Sequence, residues 1–443
     1  MGEGGNVVLI NGTPYDWVKT NEHSYQMEVW SFPDVIPAGQ MRLVHVEWKE
    51  GVLVRESDDA GEASYVLQGT SRTFQLQARA PHGKYNLQVY YDGISTANNA
   101  RGSVVKLGWK HDGDVVFILS GRDGCFSSTN PPSDWMHRNL STLGNRQLRQ
   151  ICIPGSHDSG MSIVDGKTPL ANENNVITQT ASIATQLFLG GRYFDTRPVI
   201  ASGQFKTGHY SGIEVLGWQG ADGQNFAQII EEINAYTAEN KELVVLNLSH
   251  DRNTDHGREF KPFTQEEWDR LFEQLSALDH LYVAPDPEKV DLTRLTLNDF
   301  IGRGEAAVVV IVQPDAPDIA LGDNAQRGFY FYKQFDAYNS YADKDRLEGM
   351  IQDQLEKMRA VRTGPNAQLF LLSWTLTQAV QDIVSDGRIL TLAEEANPAL
   401  FRHLPSAVNS QTFPNILYID DFSHSDITAL AMAINDIAIH GEQ

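Results

Sequence analysis

The sequence predicts two domains: an antiparallel β domain, a sandwich or a barrel, followed by an α/β domain with a parallel sheet. The chain has 443 residues, which is more than one typical domain holds. Its first part alternates apolar and polar residues with a period of two, whereas its second part places apolar strands between amphipathic helices. Of the two β architectures, we take the sandwich as the prediction.

Short alternating segments such as Met41–Trp48 fill residues 6–121. Turn-forming pairs such as Asn11-Gly12 separate them, and no long amphipathic helix interrupts the pattern. This arrangement is typical of antiparallel strands. The next segment, residues 122–146, is rich in turn formers. We therefore predict an accessory β-sandwich over residues 1–121 and a linker over 122–146.

Strands and helices alternate over residues 147–443, which we predict to form the second domain. One helical face carries Phe226, Ile229, Ile230, Ile233 and Tyr236, and the buried strand Leu243–Leu248 follows it as in a βαβ unit. Further strands are predicted at 192–196, 306–312, 369–374 and 416–421, and helices near 265–277, 343–360 and 426–438. The alternation favours a parallel barrel or a doubly wound sheet.

The charge balance and the termini exclude several classes of protein. With 35 basic and 57 acidic residues the net charge is −22. This charge argues against binding to nucleic acid, and against attachment to anionic lipid mainly through a polybasic surface. The cysteines, Cys125 and Cys152, lack metal-binding spacing. No signal peptide and no run of about 18 apolar residues is present. We expect a soluble chain without a transmembrane segment, cytoplasmic or released by an unconventional route.

Polar residues directly follow several predicted strands. The apolar run Ile151–Ile153 ends at Pro154-Gly155, and His157 and Asp158 come next. The other strand ends carry Arg192 to Arg197 with His209 beyond, Ser249-His250-Asp251, and Asp420-Asp421. Because the C-terminal ends of parallel strands meet at one face of a barrel, we expect two histidines, several carboxylates and an arginine to share a pocket.

These residue types suit chemistry on a phosphodiester. Arg192, Arg197 and Arg303 offer forked donors that match phosphate oxygens. Two histidines suit a base and an acid acting on opposite sides of a phosphorus centre. His157 is the candidate general base, because it directly follows a strand that ends at Pro-Gly.

Over roughly residues 147–425 the chain resembles the phosphatidylinositol-specific phospholipase C (PI-PLC) X-domain family, particularly its metal-independent bacterial form. The resemblance rests on Ile153-Pro154-Gly155-Ser156-His157-Asp158-Ser159 and on Gly191-Arg192-Tyr193-Phe194-Asp195-Thr196-Arg197. It implies an irregular TIM-type (β/α) barrel. It also implies a phosphodiesterase that meets phosphatidylinositol, or a glycosylated inositol phospholipid, by peripheral contact with a membrane surface.

The resemblance also implies roles for individual residues. His157 takes the proton from the inositol 2-hydroxyl, which attacks phosphorus. His209 protonates the departing diacylglycerol oxygen, and inositol 1,2-cyclic phosphate remains. Asp421 corresponds to the carboxylate that orients the first histidine, whereas Asp420 is one residue off and is expected to point to the other side of the strand.

The same resemblance implies that no cofactor is needed, with calcium as the alternative. Arg192 matches the arginine that replaces the metal in bacterial members, and Asp158 stands where calcium-dependent members carry asparagine. Arg303, Asp336 and Tyr338 resemble the inositol-binding arginine, the aspartate and the stacking tyrosine of the family.

The chain departs from the family pattern at two places. The second histidine usually precedes glycine directly, whereas here Gly208-His209-Tyr210-Ser211-Gly212 inserts two residues. Bacterial members place a ring-contacting lysine where this chain has Ser249-His250-Asp251. We therefore expect His250 and Asp251, together with Arg197, to contact substrate with a different head-group preference.

Two rival functions stay open at this stage. One is a divalent-metal-dependent phosphodiesterase acting on glycerophosphodiesters or sphingolipids. The other is a non-catalytic lipid- or glycan-binding protein in which the β domain binds and the barrel is a scaffold. The gathering of His157, Asp158, Arg192 and Asp421 favours an enzyme, because a scaffold does not need these residues.

Overall fold

The computed structural model describes residues 2–51, 54–213, 217–257, 259–377 and 388–440. The strands in these ranges are β1 (Glu3–Gly12), β2 (Trp17–Tyr25), β3 (Met27–Trp30), β4 (Val35–Ile36), β5 (Met41–Trp48), β6 (Ala60–Leu67), β7 (Thr73–Arg79), β8 (Asn86–Tyr90), β9 (Val104–Gly108), β10 (Asp114–Ser120), β11 (Ser127–Ser128), β12 (Ile153–Ser156), β13 (Tyr193–Thr196), β14 (Pro198–Ala201), β15 (Gln204–Ile213), β16 (Gly217–Asn225), β17 (Leu243–Ser249), β18 (Arg252–Asn253), β19 (Ala307–Gln313), β20 (Phe329–Phe331), β21 (Leu371–Trp374) and β22 (Ile416–Ile419). The helices are α1 (Trp135–Arg138), α2 (Leu140–Leu143), α3 (Glu173–Val176), α4 (Ile183–Phe188), α5 (Phe226–Glu239), α6 (Gln265–Leu275), α7 (Leu297–Ile301), α8 (Leu347–Val361), α9 (Ile389–His403) and α10 (Asp426–His440). The predicted class of mixed sheets and helices is confirmed.

The first compact unit contains Met1–Pro132 with two C-terminal segments, Pro398–Phe413 and Ser425–Gln443. It has a five-stranded sheet in the order β11-β10-β1-β5-β3 and a six-stranded sheet in the order β4-β2-β6-β7-β8-β9. Alternate side chains of both sheets, such as Val7 and Trp17, enter one apolar core. The strands pair antiparallel as expected, except that β1 and β10 run parallel.

The last helix, α10, belongs to this first unit, whereas the sequence prediction grouped it with residues 147–443. It packs on β1 and β10 through a largely apolar surface that includes Leu430 and Met432. At Gly12 a side-chain Cβ would lie 2.8 Å from the Cβ of Ala433, so the close approach of the helix requires a glycine in the strand. The unit boundary at Ser133 also falls inside the predicted linker.

The second compact unit contains Ser133–Asn397 and Pro414–His424. Its main sheet has seven parallel strands in the order β20-β19-β17-β13-β12-β22-β21. Tyr338, beyond β20, forms a parallel bridge to Phe370, just before β21 at the opposite edge of the sheet. A smaller sheet, β16-β15-β14-β18, includes the β15–β16 hairpin, which the sequence analysis did not predict.

Local sequence signals explain the helices that cover the main sheet. Asn225 accepts a hydrogen bond from the amide of Ala227 and caps α5, whose apolar face is buried against the sheet as predicted. Thr264 and Glu267 form a capping box at the start of α6. Among the described residues, no helix has both the length and the hydropathy needed to cross a membrane.

Candidate active site

The C-terminal ends of four neighbouring parallel strands, β12, β13, β17 and β22, bring His157, Arg197, His250 and Asp420 to one cavity of about 420 Å³. Parallel strands place these ends at the same edge of the sheet, as the sequence analysis expected. His209 enters the same cavity from β15. The cavity therefore combines three imidazoles, a guanidinium and a carboxylate.

His157 is held at both ring nitrogens. Nδ1 lies 2.7 Å from Oδ1 of Asp420, and a terminal nitrogen of Arg197 lies 2.9 Å from Nε2. Because a guanidinium can only donate, Nε2 accepts from Arg197 and Nδ1–H donates to Asp420. Burial disfavours the charged ring, but the carboxylates of Asp420 and Asp158 outweigh it and raise the pKa of His157.

The partner of His157 is Asp420, and the prediction of Asp421 is wrong. Asp421 instead accepts a 2.5 Å hydrogen bond from the hydroxyl of Thr180, and its backbone has a φ of +50°. The prediction assumed that the alternation of strand β22 continues through residue 421. The strand ends at Ile419, so the turn that follows decides the direction of both carboxylates.

Arg197 lies between two buried carboxylates. Its Nε is 2.7 Å from Oδ1 of Asp158, and a terminal nitrogen is 3.2 Å from Oδ2 of Asp195. Burial acts to raise the pKa of Asp195, but Arg197 and His157 hold it well below its usual range. Asp195 is therefore an ionised acceptor, and it also receives hydrogen bonds from the hydroxyls of Tyr418 and Ser249.

Arg192 does not enter the cavity, contrary to the prediction. It precedes β13, whereas Arg197 follows that strand, so the two arginines lie at opposite ends of it. Arg192 is fully buried and pairs with the equally buried Glu242 at 2.7 Å. It also donates to the carbonyl of Ser133. Its role in the structure is to fix the entry of the chain into this unit.

His209 faces His157 across the cavity, with ring centres 6.3 Å apart. Its Nδ1 lies 3.3 Å from the carbonyl of Val176 and 3.5 Å from Oδ2 of Asp158. Burial lowers the pKa of His209; Asp158 opposes this effect, whereas the charge of Arg197 adds to it. The inserted residues after His209 belong to the β15–β16 hairpin, which carries the ring to the site.

The two predicted substrate-contacting residues after β17, His250 and Asp251, lie in different surroundings. His250 lines the cavity, and its Nδ1 lies 2.8 Å from the hydroxyl of Ser249. Asp251 is buried away from it and accepts hydrogen bonds from the amides of Phe263 and Asp315. Asp251 therefore anchors neighbouring loops, and the prediction that it contacts substrate is wrong.

Three further predicted substrate contacts lie outside the cavity. Arg303 is exposed and precedes β19, at the opposite edge of the parallel sheet. Asp336 lies in a separate depression and accepts from Gln368. Tyr338 stacks on Phe370 with ring centres 5.7 Å apart. Each of these residues resembled the family pattern only over a short segment, and such a segment does not determine which sheet edge it reaches.

The sequence analysis missed the residues that support the site from inside the strands. Asp195 sits in the fully buried strand β13, and Tyr418 in β22 packs its ring with the ring centre 5.3 Å from that of His157. Ser373 and Asn339 also line the cavity. A carboxylate directly after the aromatic pair Tyr193-Phe194 of a predicted strand was the available signal for Asp195.

A metal ion is the obvious alternative occupant of the acidic part of the site. Ligand atoms of His157, Asp158 and Asp195 lie within 4.8 Å of one another, which is close enough to share an ion. The guanidinium of Arg197 contacts both carboxylates. A positive charge of the protein therefore already compensates part of their negative charge.

Comparisons with known proteins give two curated relatives, and no family model matches the chain. A PI-PLC X-box domain-containing protein of Dictyostelium discoideum is 28% identical over 131 residues, covering 26% of this chain and 16% of its own length. A PI-PLC X domain-containing protein of the same organism is 32% identical over 78 residues, covering 15% of this chain and 14% of its own length. The chain thus spans well under a fifth of these relatives.

A solved structure of the Staphylococcus aureus phosphatidylinositol-specific phospholipase C is also similar. It has 16% sequence identity and a TM-score of 0.47, covering 69% of this chain and 97% of that one.

Proposed function

We propose that this chain, whose resemblance to the PI-PLC X-domain family its curated relatives confirm, is a phosphodiesterase acting on inositol phospholipids. In this proposal the second unit is the catalytic one and is an irregular (β/α) barrel, which its seven parallel strands and the Tyr338–Phe370 bridge between the sheet edges support. The first unit is an accessory β-sandwich. The product of the first step is inositol 1,2-cyclic phosphate.

One observation carries this proposal: His157, held by Asp420 and Arg197, faces His209 in a single cavity. Intramolecular attack on a phosphodiester needs a base near the attacking hydroxyl, an acid near the leaving oxygen and a cation at the phosphate. The four side chains supply all three. None of these contacts depends on the first unit.

In the first step the 2-hydroxyl transfers its proton to Nε2 of His157 while its oxygen bonds to phosphorus. The phosphorus–oxygen bond to diacylglycerol breaks, and protonated His209 donates its proton to that oxygen. Arg197, whose terminal nitrogen lies 2.9 Å from Nε2 of His157, turns that nitrogen to the non-bridging phosphate oxygens. No water is consumed, so the products are diacylglycerol and the cyclic phosphate.

The directions of the two histidine pKa shifts match the roles of base and acid. A raised pKa makes neutral His157 a stronger base, and a lowered pKa makes protonated His209 a stronger acid. The bound phosphate adds negative charge, which favours the protonated form of His209. In a second, slower step the roles reverse, and water opens the cyclic ester.

We propose that Arg197, and not Arg192, supplies the positive charge that a metal ion supplies in calcium-dependent members. Its contacts to Asp158 and Asp195 support this, because the guanidinium binds the same carboxylates that an ion would share. Calcium remains the alternative cofactor.

A membrane surface is the proposed location of the substrate. Two residues that line the cavity, Leu170 and Tyr341, are 44% and 60% exposed. An aliphatic and a tyrosine side chain exposed together suit the boundary between water and lipid. This is peripheral contact with one leaflet.

The test is release of inositol 1,2-cyclic phosphate from phosphatidylinositol vesicles in excess chelator. We expect wild type to release it, and His157→Ala and Arg197→Ala to lose at least about 10²-fold in kcat. His256→Ala, an exposed histidine outside the cavity, is the control and should match wild type.

Other outcomes select the rivals. Activity that appears only with calcium moves the chain to the metal-dependent class. Release from glycerophosphodiesters or sphingolipids, but not from inositol lipids, replaces the substrate. Binding to lipid or glycan without cleavage of any of these compounds identifies a binding protein and refutes the enzyme.

A further inference from the structure

Ser249 and His250 form a short chain of hydrogen bonds beside the proposed catalytic groups. Ser249 is the last residue of β17, and its hydroxyl donates to Oδ1 of Asp195 at 3.0 Å. His250 follows in the left-handed region with a φ of +58°, and its Nδ1 lies 2.8 Å from the same hydroxyl. This turn places the ring at the cavity wall.

Counting hydrogens fixes the direction of each bond. Asp195 is ionised beside Arg197, so it can only accept. A serine hydroxyl has one hydrogen, and Ser249 uses it toward Asp195. The hydroxyl oxygen must therefore accept from His250, which requires the hydrogen to be on Nδ1.

The surroundings of His250 favour its neutral form. The positive charge of Arg197 is the largest influence, and with burial it lowers the pKa of His250. Asp195, Asp158 and Asp315 act in the opposite direction but do not outweigh it. A neutral ring with its hydrogen on Nδ1 has a lone pair on Nε2. Among the described residues Nε2 has no hydrogen-bond partner, and the ring borders the cavity.

We infer that Ser249 is a positioning residue that holds His250 as the Nδ1–H tautomer, so that Nε2 accepts a hydrogen bond from one hydroxyl of the substrate head group. The substrate part of this inference rests on the proposed function, whereas the tautomer part does not. The site then selects a polyol whose hydroxyl donates at this position. A head group with a methyl ether or no oxygen there loses the bond.

The tautomer is measured directly by ¹⁵N NMR of histidine-labelled protein. His250→Phe identifies the resonances, because it removes both ring nitrogens. We expect Nε2 of His250 to resonate as unprotonated in wild type. In Ser249→Ala the preference for the Nδ1–H tautomer should weaken, because Nδ1–H has lost its acceptor. In Ser249→Thr, which keeps a hydroxyl at this position, the preference should return.

Ser128→Ala is the matched control, because it truncates a buried serine of the first unit. It should leave the His250 signals unchanged. Circular dichroism checks that every variant is folded. An Nε2–H signal in wild type, or a tautomer that does not respond in folded Ser249→Ala, overturns the inference about Ser249.

The substrate part is tested with phosphatidylinositol analogues, each lacking one ring hydroxyl other than the attacking one. For wild type we expect kcat/KM on one analogue to be about tenfold lower than on phosphatidylinositol, mainly through a higher KM. This is the loss that one neutral hydrogen bond is expected to cause. In His250→Phe the same analogue should be cleaved as well as phosphatidylinositol.

The two proposals fail in different ways. If wild type cleaves neither phosphatidylinositol nor any analogue, the phosphodiesterase is refuted but the NMR result stands. Cleavage of all analogues at equal rates, with the tautomer as inferred, refutes only the hydroxyl contact.

Discussion

The two arginines of the motif Gly191–Arg197 should have opposite phenotypes. We predict that Arg192→Met destabilises the fold and leaves catalysis in the folded fraction intact, whereas Arg197→Lys does the reverse. Arg192 is fully buried and pairs with Glu242, which is itself fully buried. Arg197 is 17% exposed at the cavity.

The magnitude follows from the unpaired charge. Removing one partner of a buried ion pair costs about 3 to 5 kcal/mol, because the remaining charge stays desolvated. A domain of this kind has a total stability of about 5 to 15 kcal/mol, so the loss is a large fraction of it. For Arg197→Lys we expect kcat to fall by about 10² to 10³, because an ammonium lacks the forked donors of a guanidinium.

The double variant Arg192→Met/Glu242→Gln tests the cause of the destabilisation. Glutamine carries no charge, and its carbonyl oxygen can accept from the amide of His137, as Oε1 of Glu242 does. Only the longer bond from the amide of Met136, which Glu242 accepts through its other oxygen, is lost. We therefore expect it to recover at least about half of the loss.

Urea unfolding followed by circular dichroism gives the stabilities, and cyclic phosphate release per folded molecule gives the activity. Arg192→Met with wild-type stability and abolished activity refutes this reasoning. So does a double variant that is less stable than the single one.

Three more predictions address the orienting carboxylate, pH and the last helix. Asp420→Asn should lower kcat by about 10³ to 10⁴, because a neutral amide can donate to Nδ1 of His157 and favour the wrong tautomer, and it does not stabilise the charged ring. Asp421→Asn should change kcat less than tenfold, and equal losses in the two variants contradict the corrected assignment. The raised pKa of His157 means that its charged form stabilises the fold below the ordinary histidine pKa, and this contribution disappears as pH rises through the folded-state pKa; His157→Gln should therefore lose more stability in urea unfolding at pH 5 than at pH 8, and a pH-independent loss excludes this linkage. Gly12→Val should cost about 1 to 3 kcal/mol, because its side chain meets Ala433, and a thermal midpoint equal to that of wild type rules out the close packing of α10.

Short-range patterns in the sequence were sufficient to predict much of this protein. The buried strand β17 and the amphipathic helix α5 lie where periodicity placed them. A strand also precedes His157 as predicted, but β12 runs through Pro154-Gly155 to Ser156 instead of ending at that pair. The meeting of His157, Arg197 and other strand-end residues also followed from the sequence, because parallel strands share one edge. These features depend on neighbours a few residues apart.

The tertiary structure decided which residue of each pair serves the site. Asp420 and Arg197 enter the cavity, whereas Asp421 and Arg192 do not. The choice depends on where a strand ends and on which buried group compensates each charge. Glu242, the partner of Arg192, is fifty positions away in the sequence, and no local pattern identifies it.

The same limit applies to the last helix and to Arg303. The periodicity of α10 predicts a helix but not that β1, at the other end of the chain, covers it. Arg303 has a residue type that suits phosphate, yet it precedes β19 at the wrong edge of the sheet. Sequence therefore determined the elements and the chemistry at their ends. Only the folded chain determined the partners, because burial and charge compensation act between residues that are distant in sequence.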